Sequence, residues 1–169
     1  MNLSKELELC ECGDTREEFL NRLTRKLQEG FVGMTIDDLV CSPSDAMEFC
    51  KQIRDMTECS KLIDPVILKA LMNLRRAKNM PTGLKAKREP KRLQTQLNEL
   101  GCDLTADTFR ERANDLFAGM YKSRTFDELA CHPVQAKDLC SVLRKNLGNS
   151  ELPDSMILRT IMNVRKAGF

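Results

Sequence analysis

The sequence predicts an all-α protein built as a tandem duplication of a small, about five-helix unit with a 90-residue period. Three observations carry that prediction. Shifted by the period, residues 35–43 (TIDDLVCSP) fall on residues 125–133 (TFDELACHP), and 35–78 match 125–168 at 17 of 44 positions without a gap. Apolar residues recur at spacings of three and four in both copies, the spacing that places them on one face of a helix. No stretch alternates apolar and polar residues long enough to suggest a strand. A fixed internal period marks two copies of one unit rather than a single novel fold. The expected organisation is therefore residues 1–79 as the first repeat unit, 80–90 as a linker and 91–169 as the second. A unit of some 80 residues buries only about 60–65% of its unfolded surface. Packing of the two copies is expected to compensate, giving a monomer with pseudo-symmetric halves.

The first helix of each unit is expected over 4–11 and 91–100, ended by Gly13 and Gly101; if Pro90 takes the first helical position, the basic stretch leads straight into that helix of the second copy. The second covers about 16–29 and 106–119, where Phe19, Leu20, Leu23 and Leu27 form a stripe answered by Phe109, Ala113, Leu116 and Phe117. A short third helix covers 36–40 and 126–130. The fourth, 43–56 and 133–147, starts at Pro43 and Pro133, where a missing N–H is harmless. The fifth, 65–78 and 155–167, carries the strongest stripe, with Asp64 and Asp154 expected as its N-caps. Helix starts share one signal: Thr15 with Glu18, Thr35 with Asp38, Ser42 with Asp45 and Thr125 with Glu128 each set a hydroxyl three residues before an acid. In that arrangement each side chain satisfies the other's backbone N–H.

Charge is unevenly spread. Residues 1–80 carry 12 basic and 14 acidic side chains, and residues 93–169 carry 10 of each. The stretch 81–92 holds Lys85, Lys87, Arg88, Lys91 and Arg92 against Glu89 alone, so the excess positive charge lies at the junction. Those five cations are the candidate polyanion-binding residues, since cations in series contact phosphates with salt-dependent affinity. No aromatic residue stands among them to stack on bases, which favours a soluble tether.

Eight cysteines without a secretion signal point to reduced thiols and a cytoplasmic location. Three pairs match between copies: Cys12 with Cys102, Cys41 with Cys131, and Cys50 with Cys140. Cys10 and Cys59 are answered by Leu100 and Asn149. Matched cysteines on apolar stripes read as small buried hydrophobes. Their spacing does not give the paired ligands of structural zinc, so no metal or other cofactor is expected. One histidine, His132, leaves no candidate thiol–imidazole pair beyond its neighbour Cys131, and no phosphate-binding or zinc-protease motif occurs. No catalytic residues are assigned, and no apolar run is long enough to span a membrane.

The remaining candidates are polar residues held in both copies of the fifth helix. Arg75 and Arg165 fall on its apolar side, where a guanidinium must find a partner; Asp37 and Asp127 are the matched acids within each unit. Asn73 and Asn163 fall off the apolar stripe, and helix propensity gives no reason for an asparagine there. These four are the candidate interaction residues. The expected function is a non-catalytic protein-interaction or scaffolding module, with another protein as partner. Nucleic-acid binding through residues 85–92 is the first alternative, and a structural metal or thiol-based site the second.

Overall fold

The computed structural model describes residues 2–77 and 91–166, and these form ten helices and no strand. The first half holds α1 (Leu3–Leu9), α2 (Arg16–Gly30), α3 (Ile36–Val40), α4 (Pro43–Thr57) and α5 (Asp64–Arg76). The second holds α6 (Leu93–Glu99), α7 (Ala106–Met120), α8 (Phe126–Ala130), α9 (Pro133–Leu147) and α10 (Asp154–Lys166). Each helix of the second half begins and ends 90 residues after its counterpart. The linker lies outside the described residues, and with it Lys85, Lys87 and Arg88.

Local chemistry sets the helix starts. Thr15 N–H donates to Glu18 Oε2 at 2.8 Å while Glu18 N–H donates to Thr15 Oγ1 at 3.3 Å. Thr35 with Asp38 and Thr125 with Glu128 close the same reciprocal pair. These bonds hold the Glu18 and Glu128 carboxyls below the usual carboxylate range. At Thr105 the third residue on is Thr108, so the hydroxyl still caps the helix but no acid reaches back.

Several starts and stops differ from expectation. Ser42 makes no cap to the backbone; its hydroxyl donates instead to the Asp45 carboxylate at 2.5 Å. Asp64 and Asp154 are the first residues inside α5 and α10, not caps. Each is drawn back to an arginine ten residues earlier: Arg54 Nη1 lies 2.6 Å from Asp64 Oδ1, and Arg144 pairs with Asp154. The same arginines donate to the carbonyls of Leu62 and Leu152, so each closes the turn between its two helices. Helix α6 begins at Leu93 after Arg92, and Pro90 lies outside the described residues. Gly13 does not end α1, which stops at Leu9.

The residue that turns left-handed after α1 is Glu11, at φ 56°, and its counterpart is Gly101 at φ 65°. The same exchange follows α4 and α9, where Glu58 at φ 55° answers Gly148 at φ 64°. A side chain in this region crowds its own backbone, whereas glycine does not. Glu58 is exposed, so its side chain contributes little in return. Glu58→Gly is expected to raise stability by about 1 kcal/mol. Gly148→Glu should lower it by a similar amount, both read from urea unfolding midpoints.

The apolar stripes form one continuous core. Phe19, Leu23 and Leu27 of α2, Phe49 and Ile53 of α4, and Ile67, Leu68 and Leu71 of α5 have no more than 1% of their surface exposed. Phe109, Phe117, Leu139 and Ile161 are equally buried in the second half. The halves meet where α4 lies against α9, each helix facing its own counterpart. Matched residues then approach in crossed pairs: Cys50 is within electrostatic reach of Cys131, and Cys140 of Cys41. The Cys131 sulfur sits 3.7 Å from that of Met72, a soft contact between two polarizable groups. Charges repeat the crossing. Arg159 pairs with Asp38, and their counterparts Lys69 and Glu128 attract one another from the opposite halves.

Candidate functional site

The conserved-in-both-halves polar residues of the fifth helices lie in different surroundings. Arg75 is half-buried and pairs with Asp37 within the first half. Arg165 does not meet Asp127 in this way. Its guanidinium lies 4.7 Å from the centre of the Phe117 ring, an attraction between cation and π-face. Asp127 is taken instead by Arg76, reaching across from the first half. The arginine next to Arg75 thus finds its acid in the other half, just as Arg159 of the second half reaches Asp38 of the first.

Asn73 and Asn163 are exposed, and both line a cleft between the fifth and second helices of their half. The first-half cleft, about 480 Å³, is walled by Asn2, which caps α1, Leu3 of α1, Arg16 and Leu20 of α2, and Asn73 and Leu74 of α5. The second-half cleft, about 710 Å³, lies between α7 and α10, with Asn163 and Val164 facing Arg110 and Asn114. Three positions are common to the two: Leu20, Asn73 and Leu74 correspond to Arg110, Asn163 and Val164. Their charges differ. The second cleft also carries Asp107, Glu111 and Asp115 at four-residue spacing along α7, and Asp107 holds Arg110 at 2.6 Å.

The two candidate polyanion-binding cations within the described residues stand at the start of the second half. Lys91 is exposed and bonded to Glu99 at 2.8 Å, and Arg92 is the residue before α6. The first of them is thus partly neutralised by the helix it precedes.

Burial decides the state of the matched cysteines. Cys50 and Cys140 are enclosed between helices, and loss of solvent, reinforced by Asp64 and Asp154, pushes both thiols well above their ordinary range. Burial likewise pushes Cys131 up to about 11. Neutral, enclosed thiols of this kind are poor nucleophiles and poor metal ligands. Among the described residues no three histidine, cysteine or carboxylate side chains gather where a metal ion would be held. No described helix is long and apolar enough to cross a membrane.

Sequence reasoning passed over the cysteines without counterparts, and the structure brings them together. The turn after α1 and the turn before α5 touch through Cys59 Sγ, which donates to the Cys10 carbonyl at 3.2 Å. Cys10 Sγ donates in turn to the Lys61 carbonyl at 3.6 Å, and Lys61 Nζ lies 2.7 Å from Glu11 Oε2. Burial raises the Cys12 thiol above its ordinary range, and Cys59 is close enough to add to that electrostatically. In the second half Asn149 Nδ2 donates to the Leu100 carbonyl at 3.1 Å, the same bond made by an amide. The signal in the sequence was the mismatch itself: Cys10 and Cys59 depart together from Leu100 and Asn149. Comparison with protein families, with curated proteins and with solved structures finds no match to this chain.

Proposed function

We propose that the protein is a tandem duplication of a five-helix unit that serves as a non-catalytic protein-interaction module in the cytoplasm, each unit offering the cleft between its second and fifth helices to a partner protein. The units are residues 1–79 and 91–169, joined by the basic segment 80–90. The observation that carries the reading is the asparagine pair: Asn73 and Asn163 are exposed, matched, and each lines such a cleft. An amide presents both a donor and an acceptor, which suits the backbone or polar side chains of an incoming helix. Two clefts on one body also allow bivalent capture, which strengthens binding by roughly 10²–10⁴ over one site when both engage.

The test uses the full chain immobilised against an extract of its source cells, with Asn73→Arg, Asn163→Arg and the double variant alongside. A partner retained by the native chain should be weakened by either substitution and lost with both. Retention of the same partner by the double variant overturns the assignment of the clefts.

A second reading rests on the net charge of +4 over residues 81–92, five cations against one acid. Generic RNA and duplex DNA, titrated at about 50 and 200 mM salt, separate it from the first: phosphate contacts bind at the lower salt and collapse at the higher. Absence of binding at both removes it.

A further inference from the structure

We propose that the α7–α10 cleft takes a basic helical segment of a partner protein, one whose lysines or arginines stand four residues apart. The inference rests on the reading of the clefts as protein-binding surfaces and adds the partner's charge to it. Asp107, Glu111 and Asp115 follow one another at four-residue spacing on α7 and line one wall of the cleft, each about 6 Å further along the helix axis. Arg110 lies 2.6 Å from Asp107 and answers that acid. Glu111 and Asp115 are exposed, and neither carboxylate has an ion pair or hydrogen bond among the described residues. Two negative charges at the cleft therefore stand without a partner.

The matched surface of the first half is charged differently. Helix α2 places Glu17, Asn21 and Arg25 where α7 places Asp107, Glu111 and Asp115. Among the described residues its cleft is lined by one cation, Arg16, and by no acid. The two helices start, stop and bury their stripes in register, so the fold does not require the acidic row. A second difference lies beneath it. Thr24 Oγ1 donates to the Leu20 carbonyl at 3.0 Å, whereas Oδ1 of its counterpart Asn114, in the second cleft, is shut off from solvent with no hydrogen-bond partner among the described residues. An acceptor held in this way costs stability, and a turn about its terminal torsion presents it to a donor entering the cleft.

Helix geometry selects the occupant. Basic residues four apart on a helix laid along α7 repeat the rise between the acids, so two cationic heads meet Glu111 and Asp115 at once. Their methylene stems cover the mostly apolar lining beside Val164 while the charges stay at the rim. Asn163 offers a donor and an acceptor from the facing helix. A nucleic acid is turned away by the same carboxylates, because its phosphates carry their sign.

The experiment titrates the full chain into fluorescein-labelled helical peptides of alanine and leucine that carry lysine, glutamine or glutamate at every fourth position, followed by fluorescence anisotropy. The lysine peptide should bind at about 50 mM salt and weaken at about 200 mM, with the glutamine peptide weaker and the glutamate peptide unbound. Glu111→Gln combined with Asp115→Asn should weaken the lysine peptide about tenfold, the worth of two exposed ion pairs, and Asp115→Asn alone should fall between. Glu8→Gln combined with Glu17→Gln takes the same charge from the first half and should change nothing. Equal binding of the three peptides, or equal loss in both double variants, overturns the proposal. So does absence of lysine-peptide binding, which leaves the broader reading of the clefts to the Asn73 and Asn163 variants. Tighter binding by a peptide of residues 80–92 also overturns it, naming the chain's own basic segment as the occupant.

Discussion

Phe49→Ala is expected to lower the unfolding free energy by about 3–5 kcal/mol, the range for truncating a buried phenylalanine. The side chain is fully buried on α4, and its ring meets Phe31 edge-on with centroids 5.4 Å apart. That helix packs against α2, α3 and α5 within its half and against α9 of the other. A cavity there loosens the first half's core and, through α4, the face presented to the second. Against a typical total of about 5–15 kcal/mol, the loss leaves little margin. Urea unfolding followed by circular dichroism measures it. Phe49→Leu, which installs the residue found at Leu139, should cost only about 1 kcal/mol. Equal costs for the two variants would mean that the ring's size is not what the core requires.

Met72→Ala is expected to cost about 2–5 kcal/mol, as for other buried large-to-small changes. Met72 is 3% exposed on α5, and its sulfur meets that of Cys131 from the other half. Part of the cost should therefore belong to the contact between halves. A double-mutant cycle with Cys131→Ala separates that part, and coupling of at least about 0.5 kcal/mol is expected for residues in direct contact. Additive costs would show that the two halves gain nothing from this contact.

The sequence made the helices readable because their signals are local. Thr35 with Asp38, Thr125 with Glu128 and the prolines at 43 and 133 act within one turn, and the stripes of α2, α4 and α5 follow from helical geometry alone. Features that depend on distant partners were hidden. Asp64 has the composition of a cap, and only the approach of Arg54 across the turn shows why it stands inside the helix. Glu11 and Glu58 give no hint of a left-handed backbone; the hint lies 90 residues on, in Gly101 and Gly148. The stripe of α4 likewise said that Cys50 is buried, but not that Cys131 lies across the contact. Asp38 is the clearest case. One carboxylate completes the start of α3 and also binds Arg159 of the opposite half, and only the first role leaves a mark in nearby sequence.

The α4–α9 contact has a consequence for how the protein behaves on dilution. Two separate chains meeting through such a surface would dissociate as their concentration fell. Here both surfaces belong to one polypeptide, so each meets the other within a single chain. That makes their pairing unimolecular, and a melting midpoint that stays constant on dilution is the expected result.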